Sequence, residues 1–190
     1  GYDLGALQRP PIVQVGQDMN TLFDHARAIE QKMQLPTAID GAEGRRFLLR
    51  MLSASIDTFV EHTDPDRPRF HHAEGPTRKM FADNPDTDYL RAPIRMGPGR
   101  VYRLTGQIAP GSTYVGVLLY GRGGRIGRRL TDHQLQPDAD GRFTLWVSTE
   151  RQSGVWLEAD GDENALMVRQ YFADRASETP VRLQLAFLGD

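Results

Sequence analysis

The stretch VYRLTGQI, residues 101–108, decides the fold. Tyr102, Leu104 and Ile108 alternate with Arg103, Thr105 and Gln107, the period of two that places successive side chains on opposite faces of a strand. The same reading extends C-terminally. TYVGVLLY (113–120) is apolar on both faces, as a doubly covered central strand would be. GRFTLWVS (141–148) turns Phe143, Leu145 and Val147 inward. ALMVRQYF (165–172) and VRLQLAFL (181–188) follow, the last with Val181, Leu183, Leu185 and Phe187 on one face. Turns at Ala109-Pro110-Gly111, Gly121 to Gly124, Asp138 to Gly141 and Asp160 to Asp162 separate these runs, and no helical pattern intervenes. Short strands at this spacing predict a mainly β protein, an antiparallel jelly-roll-like β-sandwich over residues 101–190.

Upstream the period changes. Leu22, Phe23, Ala26, Ile29 and Met33 fall at helical spacing and predict a helix from Thr21 to Met33, ended by Pro36. Phe47, Leu48, Met51, Leu52, Ile56, Phe59 and Val60 predict a second, from Ala42 to His62. Residues 1–17, with their Pro10-Pro11 pair, read as an extended arm. The expected organisation is therefore an N-terminal arm and two amphipathic helices (1–62) packing on the sheet, a long ordered loop (63–100) wrapped over the core, and the sandwich. All three would form one compact unit. The unpaired apolar faces of the helices also permit a homodimer.

Composition narrows the function classes. The apolar fraction of 39% and charged fraction of 25% are those of a globular chain. No run approaches the roughly 18 apolar residues of a membrane span. A formal charge of -2 argues against nucleic acid as the main partner, since phosphate binding needs a basic surface. Zero cysteines exclude disulfides and thiolate chemistry. The chain opens on Gly1-Tyr2, as after removal of a preceding segment, without a charged stretch leading into an apolar one. The compartment stays open, the cytoplasm being favoured over the periplasm.

The residues from Tyr102 to Phe172 resemble a family of bacterial domains of unknown function, the one numbered 1214, often found downstream of that numbered 1254. The resemblance rests on the Asp140-Gly141 turn, the Trp156-Leu157 box, and Arg169 with Tyr171 on a late strand. Glu158 stands where the family usually has proline. The resemblance implies a jelly-roll-like domain and, by analogy alone, a module that handles carbohydrates or other small molecules.

Candidate chemistry clusters in few places. In DNPDTDYLRAP (83–93), Asp83, Asp86 and Asp88 supply oxygens of the kind a hard cation takes, but no EF-hand register is present and Asx turns are the simpler reading. No metal site or cofactor is assigned. Tyr89 and Arg91, two apart on extended chain, share a face and suit a substrate carboxylate or hydroxyl. His71 and His72 are the one adjacent histidine pair; pointing opposite ways, they do not share a metal, but either suits acid–base work near neutral pH. GRGGRIGRR (121–129) reads as a hairpin with a solvated arginine edge or as an anion-binding rim that includes Arg128. His133 follows Asp132, and Trp146 alternates out of phase with the inward residues, so it is the better placed tryptophan to stack on a ligand. The expectation is a pocket between the sheet and the 70–94 loop that binds a small molecule, carbohydrate or carboxylate-bearing. His71 or His72 and Tyr89 would act as catalytic groups of a hydrolase or lyase, with Arg91, Trp146, Arg128 and His133 binding substrate. The alternative is a non-catalytic binding or assembly module.

Overall fold

A computed structural model describes residues 12–33, 35–74 and 83–189. The chain divides into two compact units, residues 1–51 and 52–190, so the boundary falls at Met51/Leu52 and not at 62. Residues 1–11 of the arm, and Met80 and Phe81 of the expected loop, lie outside the described residues.

The first unit holds helix α1, Ile12–Lys32, and most of α2, Ala38–Ile56. Both start earlier than their apolar spacing suggests. For α2 the cause is a capping box: Thr37 Oγ1 accepts from the Asp40 N–H at 3.1 Å, and the Asp40 carboxylate accepts from the Thr37 N–H at 3.2 Å. The helical segment 12–17 corrects the extended-arm reading there. Glu30 on α1 pairs with Arg45 on α2 at 2.7 Å. Leu22, Phe23 and Ile29, the expected inward residues of α1, are 40%, 46% and 51% exposed.

The second unit is a two-sheet β-sandwich. A π-turn, Asp57–Glu61, follows α2. The strands are β1 (His71–Glu74), β2 (Thr87–Pro93), β3 (Val101–Gln107), β4 (Tyr114–Gly121), β5 (Ile126–Thr131), β6 (Arg142–Ser148), β7 (Trp156–Glu158), β8 (Glu163–Tyr171) and β9 (Arg182–Phe187). One sheet has the order β1-β2-β8-β4-β5 and the other β7-β6-β3-β9. Pairings are antiparallel except β6 with β7, which is parallel and brings Trp156 beside Trp146. That pair corrects the all-antiparallel expectation. The segment 149–155 doubles back beside β6, and the Val155 carbonyl accepts from the Trp146 N–H at 3.0 Å before β7 begins.

Between the sheets, Tyr102, Leu104, Leu145, Val147 and Leu157 meet Val115, Val117, Leu119, Leu166 and Val168 in one apolar core. The largest departure from the sequence reading is the expected loop 63–100, which contains β1 and β2. Thr87, Tyr89 and Arg91 face one way, while Leu90 and Ala92 face the core. Arginine and aspartate interrupt the apolar alternation, so the strand is recognisable only from its full ladder with β8.

Candidate functional site

A cleft of about 340 Å³ opens at one end of the five-stranded sheet. Its walls come from the chain after α2 (Thr58, Phe59, His62), the end of β2 and beyond (Arg91, Arg95), the β4–β5 turn (Arg122) and the start of β8 (Asp162, Glu163). Each wall has a local cause. The Ile94 and Met96 N–H groups bond to the Asn164 and Glu163 carbonyls at 3.2 and 3.0 Å, which carries β2 past its last paired residue. The Tyr102 hydroxyl, on a fully buried ring, accepts from the Arg95 N–H at 2.9 Å and so fixes the backbone from which Arg95 projects. Gly123 and Gly124, at φ +66° and +80°, make the tight turn that presents Arg122.

The acids of the cleft are already engaged. Glu163, 2% exposed, accepts from the Asp160 and Gly161 N–H groups at 2.9 Å each. Asp162 is paired with Arg125, which also reaches Asp160 at 3.1 Å. The hydrogen bond and charge of Asp162 hold the Arg125 guanidinium above its usual range. Arg95 and Arg122 are exposed and have no ion pair among the described residues. Arg91 lies over the Tyr120 ring at 6.0 Å. The charge left unmatched in the cleft is therefore positive, which favours an anionic occupant.

His62 is the histidine of this cleft. Its Nδ1 lies 3.0 Å from the Asp57 carbonyl, a contact that requires Nδ1 to be the donor and leaves Nε2 as an acceptor in the neutral ring. The ring stacks on His71, with centroids 4.1 Å apart and planes 15° from parallel. His71 differs in kind. Both of its ring nitrogens are buried without a hydrogen bond. Burial first, then repulsion from His62 and Arg91, pushes its pKa down from 6.5 to about 4.

That displacement sets a pH dependence. Above pH 6.5 both the folded and unfolded chains leave this imidazole neutral. Below it the unfolded chain takes up a proton that the fold resists until about pH 4. Stability is therefore expected to fall as pH drops from about 6.5 to 4, by about 1–3 kcal/mol from this residue. Urea unfolding at the two ends of that range, on wild type and His71→Leu, checks it: the variant should lose this part of the pH slope.

The structure brings some expected site residues together and separates others. His71, Arg91 and Tyr89 occupy one face of the five-stranded sheet, His71 directly opposite Arg91 in register. Tyr89 is buried, its hydroxyl accepting from the Asn84 N–H at 3.1 Å, and the Arg169 guanidinium lies 5.4 Å over its ring. His72 is exposed and pairs with Leu90, away from His71. Asp83, Asp86 and Asp88 form no metal-binding group with other side chains among the described residues; Arg175 pairs with Asp88 at 2.9 Å. Arg128 is tied to Glu158 at 2.8 Å. His133 lies exposed on a short helical turn, Asp132–Leu135. Trp146 belongs to the other sheet. Sequence reasoning missed His62, Arg95 and Arg122. His62 ends a predicted helix, and the arginines and acids that share its cleft lie from about 30 to 100 residues away in sequence.

No family model matches the chain, and no curated protein matches it. Among solved structures, the chain is similar to an uncharacterized protein from Burkholderia cenocepacia, with a TM-score of 0.81 and 28% identity over 92% of this chain and 50% of that one. A protein from Vibrio parahaemolyticus matches at a TM-score of 0.39 and 13% identity, over 94% of this chain and 46% of its own; at that score it carries no argument. The chain spans about half the length of these two structures.

Proposed function

We propose that this chain binds a small carboxylate-bearing molecule in the cleft of Arg91, Arg95, Arg122 and His62. The observation that carries the reading is the pair of unmatched arginines, Arg95 and Arg122, in a cleft whose own acids are consumed. Guanidinium groups suit carboxylates because their N–H fork matches two oxygens. His62 stands beside them with its tautomer set, so it is the acid–base group on hand for a hydrolysis or elimination of the bound molecule. This moves the acid–base role from His71 and His72 to His62. Arg91 keeps the substrate-orienting role, while Tyr89 supports the sheet beneath it.

The sandwich itself we assign to the bacterial domain family numbered 1214 and to the jelly-roll type. Gly141 makes its turn at φ +77°, Leu157 fills the core, and Arg169 and Tyr171 lie on β8, consistent with the motifs of that resemblance. The chain also passes from sheet to sheet between β2 and β3, β3 and β4, β5 and β6, β7 and β8, and β8 and β9, as rolled sandwiches do. The β4–β5 hairpin and the parallel β6–β7 pair are its departures from a simple roll.

A thermal-shift panel of mono-, di- and tricarboxylates, inorganic phosphate and neutral sugars tests the cleft. A carboxylate at a hundred times its Kd adds about 2.7 kcal/mol to stability, a shift of several degrees. Arg95→Ala with Arg122→Ala is expected to abolish that shift while leaving the unliganded melting temperature nearly unchanged. A wild-type protein shifted by neutral sugars alone would contradict the reading.

An assembly module remains a second reading, favoured by the exposed Leu22, Phe23 and Ile29 of α1 together with Ile39 and Leu49 of α2. Light scattering decides it: a concentration-dependent dimer supports assembly, and a strict monomer removes it.

A further inference from the structure

The outer face of the four-stranded sheet has no part in the cleft. From it we infer a second binding site, for an anionic oligosaccharide of the uronate class. Three observations lead there.

The first is aromatic. Register places Trp146 beside Trp156 on β7 and opposite Arg103 on β3. Trp156 is committed: its Nε1–H donates to Ser148 Oγ at 3.0 Å, and the Arg151 guanidinium sits 5.0 Å over its ring. Trp146 is half-buried, and its side chain makes no hydrogen bond or ring contact among the described residues. It therefore offers a ring face and a free indole N–H, the combination that suits the apolar face and hydroxyl rim of a sugar.

The second is a polar strip continuous with that ring. Thr144 lies two residues before Trp146 on the same face, and the ladder sets Thr105 and Gln184 beside it. A shallow groove of about 400 Å³ runs on past these residues to Arg142 and Arg182. Strip and ring together exceed the footprint of a single sugar, which points to an oligomer.

The third is charge. A solvated sheet face ordinarily mixes both signs. Here two of the bordering acids are spent, Asp140 on Arg142 and Glu158 on Arg128, and the exposed Glu150 is outnumbered by the arginines. Arg103, Arg151 and Arg182 have no ion pair among the described residues. The face is cationic on a chain whose formal charge is -2, so its complement is an acidic glycan and not a neutral one.

The chain contains two tryptophans, and both lie on this face, so their emission reports binding here, and a response kept in the Arg95→Ala, Arg122→Ala variant separates it from the cleft. Oligogalacturonate titrated into the whole protein is expected to change the emission saturably, the change weakening with added salt. Cello-oligosaccharide should do so at least about ten-fold less tightly. Trp146→Phe should retain most of the affinity and Trp146→Ala lose about ten-fold or more, with Trp156 as the remaining reporter. Arg103→Ser, at an exposed site that folding tolerates, should also weaken binding. No emission change up to about 10 mM oligogalacturonate would overturn the inference. So would equal binding of the neutral sugar, or a response to single-stranded DNA alone.

Discussion

Leu104→Ala is expected to destabilise the second unit by about 2–5 kcal/mol, the range for emptying a close-packed site. Leu104 is fully buried and lies opposite Leu145 on one side and Leu185 on the other. It belongs to the central strand pair of the smaller sheet and faces the apolar rows of β4 and β8. The rigid ladders on both sides limit how far the strands can close over the void, so the upper part of the range is expected. Urea unfolding reads it as a drop in midpoint at constant slope. Arg103→Ser, one residue away and exposed, serves as the control and should stay within about 0.5 kcal/mol. A Leu104→Ala loss no larger than the control's would mean that the two sheets do not share this core.

Gly141→Ala is the second substitution with a large effect, and its cause is the backbone. Gly141 sits at φ +77°, and a Cβ built there would lie 2.0 Å from the Ile108 carbonyl oxygen. The Ile108 N–H also donates to the Gly141 carbonyl at 2.9 Å, closing the end of the β3–β6 ladder. A methyl group must therefore displace backbone and stretch that bond. Left-handed strain of about 1–2 kcal/mol and a lost hydrogen bond of about 1 kcal/mol put the cost near 2–4 kcal/mol. Gly154 isolates the conformational part. It has φ +81° with nothing within 4 Å of its Cβ position, so Gly154→Ala should cost only the strain, about 1–2 kcal/mol. Equal costs at the two glycines would mean that the clash at Ile108 is relieved by a small shift.

These two positions also show why the sandwich was legible in the sequence. Leu104 belongs to an uninterrupted period-two run, and Gly141 follows an aspartate-rich turn just before another. Strands appear where such an alternating run, or a short apolar run, stands between turns, at β3, β4, β6, β8 and β9. β2 was missed because its outward face mixes Thr87, Tyr89 and Arg91, so its alternation is not one of apolar with polar. β1 is four residues long and carries no apolar row of its own. The parallel β6–β7 pair depends on how residues 149–155 double back, which composition does not encode.

The cleft was legible only in part. Arg91 is legible from its place two residues after Tyr89 on extended chain, whereas His71 faces it only through the β1–β2 ladder. His62, Arg95 and Arg122 come together through the ladder between β2 and β8 and the turn after β4. That juxtaposition is tertiary, and no local spacing carries it. His71, a candidate base, is a weaker base than a free imidazole, its pKa pushed down to about 4 by burial and then by His62 and Arg91.

The most direct test is a crystal structure of the protein with the carboxylate that stabilises it most. Carboxylate density against the guanidinium groups of Arg95 and Arg122, with a ligand oxygen in hydrogen-bonding reach of His62 Nε2, is the expected result. A ligand bound elsewhere, with the cleft holding only solvent at saturating concentration, would contradict it.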